Sequence, residues 1–416
     1  MTKHQNKIEK LILNLCPKGV RFKTLGVLGD FYGGLSGKSK EDFSDGNAKY
    51  ITYMNIASNI AVNTDINTLV KVDKEEHQNK IEYGDVLFTG SSETPDEVGI
   101  SSVLTKKIDE PLYLNSFCFG FRLHDKNMFL PDFFKYLFRD DEIRKQIIKT
   151  ASGVTRFNVS KKRFAKIRIP IPPLAVQEDI VKILNSFTEL EAELEAELEA
   201  RKKQYIYYKE HLLSFTDGVR MVPLKEICDI GDGLHGTPKY TYLGEYLFIN
   251  GNNLKNGHIV SEKKTNKVDE QAYKLHGISF KPNKTVLMSI NGTVGSVARF
   301  NNEKIVLGKS VAYFNINSES ISVNYLFYYL QTNQAKQYYE FQKTGSTIKN
   351  LGLKALREFQ IPVPPINVQE KIASTLEKFN NLVNDISIGL PAELKARRQQ
   401  YEYYRNKLLT FKEYAN

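Results

Sequence analysis

Cysteine is scarce, with three residues in a chain of 416. Cys16, Cys118 and Cys228 lie about a hundred residues apart, so the close pairing of a zinc site or a disulfide framework is missing and a reducing cytoplasm is the expected setting. Long apolar runs are missing too. No stretch approaches the ~18 residues that a membrane-spanning helix needs. Met1 to Leu15 carries apolar residues at the spacing of a short amphipathic helix, expected over residues 1–16, and neither secretion nor membrane insertion is indicated.

The composition is that of a folded protein: 41% hydrophobic and 25% charged residues argue against wholesale disorder. A chain of this length is too long for one core of ordinary size, and two domains of roughly 150 residues are the natural division. Lys and Arg outnumber Asp and Glu by 58 to 48, a formal charge of +10 that favours polyanions such as nucleic acid.

The dominant feature is an internal duplication. Ile-Pro-Ile-Pro-Pro-Leu-Ala-Val-Gln-Glu at 169–178 returns as Ile-Pro-Val-Pro-Pro-Ile-Asn-Val-Gln-Glu at 361–370, an offset of 192. The same offset pairs Gly153, Thr155 and Asn158 with Gly345, Thr347 and Asn350. Ala-Arg-Lys-Lys-Gln-Tyr at 200–205 matches Ala-Arg-Arg-Gln-Gln-Tyr at 396–401, now offset by 196, so four residues were gained or lost between. The boundaries that follow are an N-terminal helix over 1–16, globular units over 17–168 and 217–360, and helical spacers over 169–216 and 361–416.

Proline is accepted in the first turn of a helix, where its missing N–H costs nothing, so each Pro-Pro pair marks a helix start. Apolar and aromatic residues then recur at steps of three and four. In the second copy Ile372, Leu376, Phe379, Val383, Ile386, Leu390, Leu394, Tyr401, Tyr404 and Leu408 keep a near-heptad seam. Each helix can run about 40 residues, roughly 60 Å, too long to stand without a partner for its stripe. The expected partner is its own copy in an antiparallel coiled coil, relating the halves by a pseudo-twofold axis. Gly389 and Pro391 predict a bend in the second copy.

Within the globular halves, strand candidates such as Asp85–Thr89 and Thr285–Ser289 alternate with Gly and Asn turns, and each half closes with helices over 131–149 and 323–343, an α/β (α+β) unit. The loops that follow combine Gly, hydroxyls and a cation, the donors that phosphate oxygens accept. They nominate Thr155, Arg156, Asn158 and Lys161 in the first half and Thr347, Lys349 and Asn350 in the second. A glycine-rich loop in each half lets backbone approach a ligand closely and adds Ser36 and Lys38, then His235, Thr237 and Lys239. The first imitates a phosphate-binding loop, but Tyr32 stands where that motif needs glycine. Asn250, Asn253 and Asn291 complete the set, since Asn suits adenine edges as Arg and Lys suit guanine.

With these motifs present twice, the chain resembles, over its whole length, the specificity subunits of type I restriction-modification systems. The resemblance implies two target-recognition domains that read the halves of a split site in double-stranded DNA. It implies helices that set the separation and dock two methyltransferase subunits, with restriction/translocase subunits joining the complex. Docking candidates on the helix motifs are Gln177, Glu178, Arg201, Tyr205 and Tyr208, with Gln369, Glu370, Arg397, Tyr401 and Tyr404. Such a chain is non-catalytic and binds no cofactor; S-adenosylmethionine, ATP and Mg are expected on partner subunits.

Enzymatic readings fail on the residues. An amino-methyltransferase carries Asp/Asn-Pro-Pro-Tyr/Phe, whereas Ile171-Pro172-Pro173-Leu174 and Val363-Pro364-Pro365-Ile366 have no polar group to hold a target amine. For a nuclease, Pro131-Asp132 followed by Glu142-Ile143-Arg144-Lys145 is one residue too long and sits in a helical pattern. The alternative is a coiled-coil scaffold that binds no DNA, which leaves the two basic globules unexplained.

Overall fold

The computed structural model describes residues 10, 12, 14–215, 218–385 and 387–414. Most of the helix expected over 1–16, and Ile386 of the seam, lie outside the described residues. The chain divides into two compact units, the first formed by residues 1–193 and 395–416, the second by 194–394. The helical spacers are therefore not separate elements: each is shared between the units.

Each unit repeats one plan. In the first, strands β1 (Gly29–Gly33), β2 (Val86–Thr89), β3 (Ser101–Val103) and β4 (Cys118–Leu123) form an antiparallel sheet in the order β1-β4-β2-β3, with Phe31 and Val86 both opposite Phe121. In the second, β5 (Cys228–Asp232), β6 (Thr285–Ser289), β7 (Val297–Arg299) and β8 (Val311–Ile316) take the order β5-β8-β6-β7, with Ile230 and Val286 both opposite Phe314. A smaller sheet joins Ala48–Ile51 in parallel to Leu112–Leu114, and its counterpart joins Tyr246–Ile249 in parallel to Ile305–Leu307.

The continuous apolar run Val86-Leu87-Phe88 has a direct physical reading, because a strand covered on both faces needs no polar side. Val86 and Phe88 face a core with helices α1 (Pro131–Leu137) and α2 (Asp141–Ile148), while Leu87 faces Ile51, Leu112 and Leu114 of the small sheet. Val286 and Met288 likewise meet helices α4 (Val323–Tyr329) and α5 (Asn333–Gln342), and Leu287 meets Ile249 and Leu307. Helix α3 (Leu174–Leu212) lies between these pairs in sequence.

Where one helix is expected over 131–149 and another over 323–343, the structure has two each. Asp140 accepts hydrogen bonds from the backbone N–H of Glu142 and Ile143, at 3.0 and 3.3 Å, and Thr332 accepts one from Ala335 at 3.2 Å. Each cap starts a new helix in the middle of the apolar period.

Helix α3 runs unbroken for 39 residues. Its counterpart is broken rather than bent: α6 (Ile366–Asn384) ends, and α7 (Leu390–Leu409) restarts with Pro391 in its first turn, where the ring is tolerated. In the first unit the pairing is antiparallel. Phe187 of α3 stacks on Tyr404 of α7 with ring centroids 5.4 Å apart, and Glu191 accepts a hydrogen bond from Arg398 at 2.6 Å. In the second unit Tyr208 of α3 meets Phe379 of α6 at 5.6 Å, the same pair with the two copies exchanged. No helix among the described residues is long and apolar enough to cross a membrane.

Candidate nucleic-acid interface

At one end of each four-stranded sheet three loops come together, and the two units build them with the same hydrogen bonds. In the first, Gly90 donates its N–H to Phe117 and accepts from Val159, each at 2.9 Å, while Asn158 pairs with both Ser91 and Ser152. In the second, Ile290 donates to Ser310 and accepts from Leu351, again at 2.9 Å, while Asn350 pairs with Asn291 and Thr344. This common backbone fixes the correspondence residue by residue: Ser91 with Asn291, Phe117 with Ser310, Asn158 with Asn350.

In the first unit Arg156 is the best positioned of the candidates. Its Nε and Nη2 donate to Ser91 Oγ at 3.1 and 3.0 Å, and its Cζ lies 5.7 Å from the Phe117 ring centroid. Asn158 Nδ2 donates to the Arg156 carbonyl at 3.3 Å. Thr155 is exposed, and Lys161 places its ammonium 5.5 Å from the Phe119 ring.

In the second unit His235, Asn291 and Asn350 line one cleft with Asp232 and Lys309. Asp232 Oδ2 lies 2.8 Å from His235 Nε2, and Asn291 Nδ2 donates to the Lys309 carbonyl at 3.2 Å. Thr237, Lys239, Thr347 and Lys349 are exposed on the surrounding loops. Lys309 escaped the sequence reading, since a lone lysine in a turn belongs to no motif.

Other candidates are engaged within the chain to differing degrees, Ser36 and Asn250 while remaining exposed. Lys38 donates to Glu76 at 2.6 Å with only 6% of its side chain exposed, so it is not a free cation. The Ser36 backbone exchanges two hydrogen bonds with Gln78. Asn253 accepts from Asn250 N–H and donates to the Val260 carbonyl and Thr265 Oγ1, while Asn250 Oδ1 takes the Ser310 hydroxyl. Two of the glycines in these loops serve the chain's own backbone, while Gly33, Gly37 and Gly236 face open space. A Cβ on Gly34 would lie 2.0 Å from the Asn115 carbonyl oxygen, and one on Gly233 would lie 2.2 Å from that of Leu307.

The helix candidates divide sharply. Gln177 is completely buried: its Oε1 accepts from Leu130 N–H at 2.9 Å, and its Nε2 donates to the carbonyls of Met128 and Pro172 at 3.1 and 2.8 Å. Gln369 repeats this with Ser322, Ser320 and Pro364 at 2.9, 2.8 and 2.7 Å. These residues lock each helix start to its own globule and offer nothing to a partner. Tyr205, Tyr401 and Tyr404 pack against their units' cores, and Tyr208 keeps its place on Phe379. Arg201 reaches Glu197 and Gln204, and Arg397 reaches Gln400. Glu178 and Glu370 are exposed, as are Tyr207 and Tyr403, which the sequence reading passed over in favour of their neighbours. Among the described residues no group of His, Cys, Asp or Glu could hold a metal ion.

The family described as type I restriction modification DNA specificity domain matches residues 17–200 and 216–396. The EcoR124I/EcoR124II type I restriction enzyme specificity subunit of Escherichia coli is 34% identical over 266 residues, covering 59% of this chain and 63% of that one. The match thus spans less than two thirds of that relative's length. A putative type I restriction enzyme specificity subunit of Haemophilus influenzae is 30% identical over 292 residues, 62% of this chain and 68% of the relative. A solved chain from work on complex assembly and conformational transition of the type I restriction-modification system shares the fold. Its TM-score is 0.66 at 20% identity, over 94% of this chain and 98% of that chain.

Proposed function

The chain belongs to the type I restriction-modification DNA specificity family, and on that premise we propose that it is the DNA-reading, non-catalytic subunit of such a system in the cytoplasm. The observation that carries this reading is the duplicated loop constellation. Two units present differing polar side chains from one backbone framework that keeps Asn158 and Asn350 in common, Ser91 and Arg156 in one, and His235 and Asn291 in the other. A common frame with variable readers is what recognition of two short, different elements requires, because backbone sets position and side chains read base edges.

The exposed helix residues, Glu178 and Tyr403 in the first unit and Glu370 and Tyr207 in the second, are the ones we assign to two methyltransferase subunits. S-adenosylmethionine, ATP and Mg belong to partner subunits, including any restriction/translocase subunit. The test is selection of a random duplex pool on the chain co-expressed with its methyltransferase subunit. Enrichment of one split motif, with affinity that falls steeply as salt rises, supports the reading. A stable complex that binds no duplex supports the scaffold alternative.

A further inference from the structure

The shared backbone of the two loop clusters allows a comparison that neither unit allows alone. Counting back from Asn158 and Asn350, which hold the same position in the same three-stranded pairing, Arg156 of the first unit corresponds to Ile348 of the second. Both turns are closed by a glycine of positive φ, Gly153 and Gly345. A Cβ on Gly153 would lie 1.9 Å from the Arg156 carbonyl oxygen, and one on Gly345 would lie 2.4 Å from the Ile348 carbonyl oxygen. The frame is kept while the side chain at its tip changes from a five-donor cation to a hydrocarbon. Ile348 is 67% exposed and makes no structural use of that exposure.

Arg156 is held as a reader must be. One edge of its guanidinium, Nε and Nη2, is spent on Ser91 Oγ, and one face lies over Phe117, itself 61% exposed. Two of five N–H groups point inward, so the end carrying Nη1 and the remaining hydrogen of Nη2 faces outward with its plane fixed. A donor-only fork matches an edge with two acceptors. Guanine offers O6 and N7 in the major groove, whereas adenine pairs its N7 with an amino donor that would oppose the fork.

Resting on the DNA-reading proposal, we propose that Arg156 and Ile348 occupy the specificity-determining position of their units, and that Arg156 takes the O6/N7 edge of a guanine in one half-site. The second unit has no such fork at this position and reads its element through amide and imidazole groups. A phosphate would satisfy the same fork, and the experiment separates the two sources.

Methylation motifs are mapped for complexes carrying the unaltered chain, Arg156→Ile and Arg156→Lys, each with duplex affinities measured across a salt series. Arg156→Ile is expected to lower discrimination for guanine at a single position of one half-site by roughly 5- to 150-fold, leaving the other half-site unchanged. The remaining positions of the same half-site, still read, show that the first unit is folded. Arg156→Lys, which keeps the charge without the fork, is expected to lose most of the same discrimination. The proposal is overturned if Arg156→Ile keeps every position of the motif and only lowers the salt slope by about 0.9, the mark of one lost phosphate contact. It is overturned equally if neither variant changes anything. A split motif from the unaltered complex, present in either case, shows that the DNA-reading proposal survives independently.

Discussion

Replacing Gln177 by leucine removes a side chain of similar length whose amide makes three hydrogen bonds inside the first unit, at 2.8 to 3.1 Å. The variant leaves the Leu130 N–H and the carbonyls of Met128 and Pro172 without their partner in a setting where Gln177 is 0% exposed. A net contribution of about 0.5–1.5 kcal/mol per hydrogen bond, with part of the cost of orphaned backbone groups added, gives a loss of roughly 2–5 kcal/mol. At a urea dependence of about 2–3 kcal/mol per molar, that loss moves the midpoint by roughly 0.7–2.5 M. The loss is local, because all three partners belong to the first unit. Gln369→Leu should do the same to the second unit through Ser320, Ser322 and Pro364. Urea unfolding followed by hydrogen exchange on peptides from each unit reads both effects. With no shared partner the double variant should be additive. A loss under about 0.5 kcal/mol, or equal loss of protection in both units from one substitution, would refute the locking role.

Three further outcomes are expected. Burial pushes the thiols of Cys118 and Cys228 up to about 12, so neither should react with an aromatic disulfide reagent at pH 8 until the chain unfolds; immediate labelling of either contradicts the core assignment. Burial pushes the Glu377 carboxyl up, but the two-pronged Arg299 pair and the Tyr328 hydroxyl outweigh it and hold it below the usual 4.5. A depressed carboxyl adds stability that is present above pH 4.5 and lost as pH falls through the lower folded value. Acid unfolding of the second unit should therefore lose part of its pH dependence in Glu377→Gln, and an unchanged profile would remove the role. Inserting one Glu-Ala-Glu-Leu repeat in the Glu-rich tract of α3 lengthens the helix by about 6 Å, close to two base-pair steps. A recognised gap that stays the same in that variant contradicts the helix as a ruler.

The duplication carried most of what the sequence could tell. Its offset of 192 aligns the helix starts and the loops that end at Asn158 and Asn350, but the strands fall at other offsets, Val86 with Val286 at 200 and Phe121 with Phe314 at 193, because loop lengths between them differ. The all-apolar stretches Val86–Phe88 and Val286–Met288 were legible as strands, and their burial on two faces is a finding of the structure. The helix breaks at Asp140 and Thr332 were hidden because the apolar period continues through Phe138 and Ile143 as though one helix persisted. Gln177 and Gln369 were misjudged for a different reason. A polar residue in a first turn reads as exposed unless one knows that a loop from the same globule, 128–130 or 320–322, brings its backbone there. Lys38 failed in the same way through Glu76, 38 positions downstream. Pairing of the long helices with their own copies was legible in the seam. Their division was not: residues 395–416 join the first unit through Phe187 and Tyr136, and no local pattern announces such distant partners.

The central claim is that this chain gives a methyltransferase its DNA sequence, and single-molecule mapping of methylated adenines tests it most directly. The chain is co-expressed with its neighbouring methyltransferase subunit and the complex is incubated with genomic DNA and S-adenosylmethionine. One split motif with a fixed gap, absent when this chain is left out, is the predicted result. A stable complex that methylates the same sites without this chain, or methylates nothing and binds no DNA, would contradict it.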